Sequence, residues 1–121
     1  MIKRDTRPSS AEGTRRPAKL TAARLDKLIE EATVDCYNDS EQLSGLYTMI
    51  EGNLELPFQT QVLGVDVTVQ RVDLTEADEI VAVCARGNAR QAIPILELPL
   101  PVPWPRGAEW IEAYRRWARG A

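Results

Sequence analysis

The thirteen residues from Glu30 to Gln42, EEATVDCYNDSEQ, hold five carboxylates (Glu30, Glu31, Asp35, Asp39 and Glu41) and the side-chain amide of Asn38. Carboxylates a few ångströms apart repel one another, so a folded chain keeps them together either in a capped, solvated turn or around a cation. The donors are hard oxygens. Ca²⁺ takes about six to eight of these at flexible geometry, whereas Mg²⁺ keeps several waters and tolerates little distortion. The stretch does not follow the EF-hand template. With Asp35 in the first position, Tyr37 falls in the third, Ser40 where Gly is needed, and Leu46 where the bidentate Glu belongs. On spacing alone the capped turn is the simpler reading, with Asn38, Asp39 and Glu41 as helix caps and Glu30 and Glu31 as a solvated face.

A second acidic group lies in VDLTEADEI, where Asp73, Glu76, Asp78 and Glu79 crowd the turn between two predicted strands. Turn chemistry accounts for Asp73 and Asp78, yet four carboxylates in seven residues exceed what a turn requires. If that hairpin tip faces the helix joint, the two groups share or flank one ion. Glu109 and Glu112 are a weaker third group, explained by their place at a helix N-terminus. The chain has no histidine. That removes the commonest general base, the Ser/His and Cys/His nucleophile pairs, and the imidazole ligands of zinc, copper and iron sites. With no lysine paired to the acids and no nucleophile signalled, metal-dependent hydrolysis has little to stand on.

The elements that position these acids follow from periodicity. Thr21 is a candidate N-cap, and Leu25, Leu28, Ile29 and Ala32 form the apolar stripe of a short helix ending near Thr33 to Cys36. Asn38, Asp39 or Ser40 caps a second helix, with Glu41 placed for a capping box and Leu43, Leu46, Tyr47, Ile50 and Leu54 as its buried face. Gly52 and Asn53 stop it. After Pro57, FQTQVLGVDVTVQRVDL alternates around Val65, Val67 and Val69, EIVAVCAR reads as a buried strand, and ARQAIPILEL continues β-like beyond the Gly87-Asn88 turn. LPLPVPWP lacks the donor N–H groups of a central strand and should cross the surface extended. GAEWIEAYRRWARG is a final helix with Trp110, Ile111, Tyr114, Trp117 and Ala118 on its apolar face. Aromatics at that spacing pack a core more readily than they stack on bases or sugars. The expected fold is therefore α+β: two N-terminal helices, a small antiparallel sheet able to curl into a partly open SH3-like barrel, and a C-terminal helix.

Composition bounds the remainder. At 121 residues, 44% hydrophobic, the chain suits one domain with its own core. Residues 1–19 carry six cations against two carboxylates, or +4, and 20–121 carry nine against sixteen, or −7, which restores the net −3. We expect a disordered basic tail over 1–19, solubilising, folding back on its own domain, or touching nucleic acid or another acidic surface, and an α+β domain over 20–121. No apolar run suggests a membrane span or a secretory signal, so the expected location is the cytoplasm. Cys36 and Cys84, far apart and without CxxC spacing, read as small core hydrophobes. Nucleic acid is a poor partner for a domain at −7 whose strands have only Phe58 as a nearby aromatic. An unknown protein partner, docked on an acidic face or a sheet edge, is the alternative to metal binding.

IEEATVDCYNDSEQLSGLYTMIEGNLELPF, then VLGVDVTVQRVDLTEADEIVAVCARG, then GAEWIEAYRRW, taken in that order from about Leu25 to Trp117, resemble the small bacterial calcium-binding protein family first described in cyanobacteria. The words EATVDCY, TMIE, LPF and VLG carry the resemblance. It implies a compact α+β domain that binds Ca²⁺ through acidic clusters outside an EF-hand, no catalysis, and a cytoplasmic buffering or signalling role. The loop after Asp35 departs from the acidic pattern at Asn38 and Ser40. With the resemblance added, the expected ligands are Asp35, Asn38, Asp39 and Glu41 first, then Glu30, Glu31, Asp73, Glu76, Asp78 and Glu79.

Overall fold

The computed structural model describes residues 20–120; the expected tail over 1–19 lies outside them. Helix α1 spans Ala22–Ala32, and its first turn is closed by Thr21 Oγ1, which accepts from the Arg24 N–H at 3.1 Å. Leu25, Leu28 and Ala32 are buried along one stripe, as their spacing requires. At the other end the Ile29 carbonyl accepts both the Thr33 N–H at 3.0 Å and the Thr33 hydroxyl at 2.7 Å, which closes the last turn. Helix α2 spans Asp39–Asn53 and buries Leu43, Leu46 and Ile50, while Leu54, just past its end, is buried too. Its Gly45 passes against the end of α1, where a Cβ would stand 2.1 Å from the Ala32 carbonyl oxygen. Only glycine permits that approach.

The sheet is an antiparallel meander in the order β1 (Phe58–Val62), β2 (Val65–Leu74), β3 (Ile80–Arg86), β4 (Ala89–Pro94). It is open, with β1 and β4 at its two edges. Leu63 and Gly64, both at positive φ (52° and 77°), form the tight β1–β2 connection, a backbone shape matched to the twist of a two-residue hairpin. Gly87 takes φ 57° in the β3–β4 turn. The alternation Val65, Val67, Val69 does not continue to Asp73: the register shifts between Val69 and Arg71. This bulge puts Val69 and Val72, three apart, both in the interior.

Strand β4 stops at Pro94, short of the β-like run expected through Leu98. A 3₁₀ turn at Ile95–Glu97 follows, with Ile95 buried, because proline cannot donate to the ladder. Residues 98–105 then cross the molecule outside the sheet, fastened where the buried Thr60 hydroxyl donates to the Pro99 carbonyl at 2.7 Å. Helix α3 (Ala108–Ala118) is entered through Gly107 at φ 88°, packed so closely that a Cβ would meet the Asn53 carbonyl oxygen at 2.2 Å. Glu109 lies in its first turn and Arg115 and Arg116 in its last, matching the helix dipole.

The main core joins Leu28, Leu46, Ile50, Val72, Ile80 and Ile111 from all three helices and two strands, and Trp110 and Tyr114 are buried in it. The α3 aromatics are therefore core, with Trp117 half-buried and its indole N–H donating to Gln42 Oε1 at 2.9 Å. Ala118 is exposed instead of joining that face, while Ala108 and Ala113 are buried. Cys84 is buried as expected, but Cys36 is only half-buried, its thiol 3.4 Å from the Glu41 carbonyl oxygen. Among the described residues no helix is long and apolar enough to cross a membrane.

Candidate functional site

The α1–α2 joint is built by local hydrogen bonds. Asn38 is the N-cap of α2, its Oδ1 accepting from the Glu41 N–H at 2.9 Å. Glu41 reaches back in turn, and its Oε1 accepts from the Tyr37 N–H at 2.6 Å. The expected capping box thus forms one residue out of register, on the amide before the cap instead of the amide of the cap itself. One oxygen of Asn38 and one of Glu41 are committed to the backbone, which bears out their capping role. Asp35 bends the chain at φ 63°, a left-handed conformation that Asp adopts more readily than bulkier residues.

Glu30, Glu31, Asp35, Asn38, Asp39 and Glu41 are all exposed. Among the described residues the ion pairs are Arg71–Asp73, Arg115–Glu112 and Arg116–Asp26, so no Lys or Arg there neutralises the five carboxylates of the joint. Two apolar side chains stand among them, Val34 at 68% and Tyr37 at 87% exposure. The arrangement concentrates negative charge at the positive end of α2, which lowers its cost without removing it.

The second acidic group is organised differently. Thr75 nucleates the β2–β3 turn: its Oγ1 lies 3.3 Å from the Ala77 N–H and 3.2 Å from the Glu79 N–H, and its own N–H donates to the Glu79 carbonyl at 2.9 Å. Asp78 occupies the left-handed position, φ 59°. Glu76, Asp78 and Glu79 are exposed, and Asp73 is held by Arg71 at 3.2 Å. The loop sits by α3: burial pushes the Tyr114 phenol above its ordinary pKa, and the Glu79 charge adds to that rise. Among the described residues, no three acidic or Cys side chains converge closely enough to hold a metal ion as they stand. Among the described residues, no such group joins the two acidic stretches.

A fourth acidic grouping, unrecognised in the sequence, lies by Tyr47. Its hydroxyl lies 3.2 Å from Glu51 Oε2 and 3.2 Å from the Val72 carbonyl. Burial raises the phenol pKa, and the Glu51 and Asp73 carboxylates raise it further. The four-residue step from Tyr47 to Glu51 was visible on a helix; the approach of Asp73 depends on how β2 crosses α2. The chain matches no family model, no curated protein and no solved structure.

Proposed function

We propose that this domain is a non-enzymatic calcium-binding protein, acting as a buffer or signalling element in the cytoplasm, with its ion taken at the α1–α2 joint. The observation that carries the reading is five exposed carboxylates at one turn with no ion-paired cation among the described residues. Donor chemistry suits Ca²⁺, since every candidate ligand is a hard oxygen. Among the described residues, the Asp35 and Asp39 side chains have no hydrogen bond to give up, and they lead the set; Glu41 contributes its second oxygen, and Asn38 serves as the cap that holds the turn. Gathering these side chains requires rotamer changes, which exposure permits at an entropic cost of about 1–2 kcal/mol per long side chain. Ca²⁺ would offset the mutual repulsion of the carboxylates and tie the turn to the start of α2. Glu30, Glu31, Asp73, Glu76, Asp78 and Glu79 are secondary, shaping the field around the ion.

The deciding measurement is a ¹⁵N NMR titration of chelator-stripped protein with Ca²⁺ and, separately, Mg²⁺. Saturable shifts centred on residues 35–41, weakened in Asp35→Asn/Asp39→Asn, support the site. No response at millimolar Ca²⁺ removes it.

A second reading has its own observation: Val34 and Tyr37 are exposed apolar side chains set among carboxylates, a combination that also suits docking of a basic protein surface. It predicts that Tyr37→Ser abolishes partner binding while leaving any Ca²⁺ response intact.

A further inference from the structure

The helices cover only one end of the sheet's inner face. Val72 and Ile80 belong to the core shared with α1, α2 and α3, whereas Val69, Ala82, Cys84 and Leu98 form a second cluster, with Val62, Val67 and Ile93 half-buried against it. Past that cluster the face opens into a groove of 330 Å³ lined by Val62, Leu63, Val67, Cys84, Arg86 and Arg90, among others. Leu63 stands at its rim at 97% exposure, which costs apolar hydration and gains no packing within the domain.

The groove runs onto a sheet edge. Among the described residues β4 pairs with β3 alone, and Ala89, Arg90, Gln91 and Ala92 are exposed. Antiparallel pairing alternates, so every second main-chain N–H and C=O of β4 points away from β3. The opposite edge is treated differently, since the Thr60–Pro99 hydrogen bond holds the proline-rich segment beside β1. Charge separates the groove from the rest of the domain. Residues 20–121 hold nine cations and sixteen carboxylates, yet the groove is lined by two arginines. Among the described residues neither Arg86 nor Arg90 has a carboxylate partner, and Gln70 Oε1 accepts from Arg90 Nε at 3.1 Å.

We propose that this groove and the β4 edge bind an extended acidic segment of a partner protein. Its main chain pairs with β4, its carboxylates meet Arg86 and Arg90, and its apolar side chains enter between Val67, Cys84 and Ile93. Strand addition satisfies the open edge, and alternate side chains of one strand supply both the apolar and the acidic contacts. A nucleic acid strand offers negative charge but needs aromatic platforms, and the groove lining has none. The groove shares no residue with the α1–α2 joint, so this proposal stands or falls independently of Ca²⁺.

The test uses the full chain and a synthetic peptide of about ten residues alternating Glu with Val or Leu, a length that spans one strand pairing. ¹⁵N NMR titration should give saturable shifts at Val67, Cys84, Arg86 and residues 89–93. Arg86→Glu/Arg90→Glu, exposed changes checked by far-UV circular dichroism, should weaken binding about tenfold or more. A peptide with Ser in place of Val and Leu, and one N-methylated at alternate amides, should each bind far more weakly; both leave the protein unaltered. Three outcomes overturn the proposal: no saturable shifts at millimolar peptide, equal binding by the Ser or N-methylated peptide, or undiminished binding to the charge-reversed variant. Tighter binding by a single-stranded oligonucleotide than by the peptide would overturn it as well.

Discussion

Glu41 and Asn38 hold each other's ends of one turn: the Glu41 N–H donates to Asn38 Oδ1 at 2.9 Å, and the Glu41 carboxylate accepts from the amide that precedes Asn38 at 2.6 Å. Capping and the proposed Ca²⁺ site thus both draw on Glu41. Asn38→Ala should destabilise the domain by about 1 kcal/mol, the usual worth of an N-cap. Glu41→Gln retains an acceptor for the Tyr37 amide and should cost less. Urea unfolding at neutral pH without added metal reads both changes, and a larger loss from Glu41→Gln than from Asn38→Ala would contradict the capping geometry.

Metal linkage gives a second prediction. If Ca²⁺ binds only the folded chain, free ion at one hundred times its Kd adds about 2.7 kcal/mol, which raises the Tm of a domain this size by roughly 10–20 °C. Asp35→Asn/Asp39→Asn should melt at or above the Tm of the wild type in chelator, since two repelling charges are gone, and should lose most of the Ca²⁺-dependent rise. Calorimetric scans with chelator, Ca²⁺ and Mg²⁺ measure this directly. An equal rise in the double variant would move the ligands away from Asp35 and Asp39.

Two glycines on α2 should respond in opposite senses. Gly45→Ala drives a methyl group to within 2.1 Å of the Ala32 carbonyl oxygen, so α1 and α2 must separate. Overpacking of that kind costs about 1–3 kcal/mol, and this backbone-to-side-chain clash belongs at the upper end. Gly52 has nothing within 4 Å of the position a Cβ would take and lies inside the helix. Gly52→Ala should therefore stabilise by about 0.5–1 kcal/mol through helix propensity and a less flexible unfolded chain. Chemical denaturation of both variants against the wild type is the check.

Acid should loosen the contact between the first and last helices. Arg116 Nε donates to Asp26 Oδ1 at 2.7 Å, and this hydrogen bond holds the Asp26 carboxyl below its ordinary pKa and raises that of Arg116. The sign follows from linkage: a carboxylate with a depressed folded pKa stabilises fully above the unfolded value and loses that contribution as pH falls through the folded one. The loss belongs below about pH 4, where free aspartate protonates. Asp26→Asn should flatten that part of the stability profile, and high salt should shrink the difference because the pair is exposed. Thermal melts across pH 2.5–7, an interval of roughly that range around the aspartate value, would show it. Identical acid limbs for variant and wild type would mean that the pair contributes nothing.

Local chemistry made much of this protein readable from the chain. Thr21 caps α1, Asn38 caps α2, Glu109 and the late arginines suit the dipole of α3, and the Gly87-Asn88 turn separates β3 from β4. Each of these is settled by hydrogen bonds or steric limits among residues only a few positions apart, so sequence proximity is enough. The capped-turn role of Asn38 and Glu41 was legible for the same reason. Tertiary packing decided the rest. The shift after Val69 that turns Val72 inward, the close pass of Gly45 at Ala32, and the meeting of Tyr47, Glu51 and Asp73 all depend on where distant elements cross. So does the placing of the two acidic groups, whose charges are equally dense in the chain whether or not they face one another. Composition dictates how much charge a fold must solvate, but the distance between charges, which sets their energy, exists only once the helices and the sheet are packed.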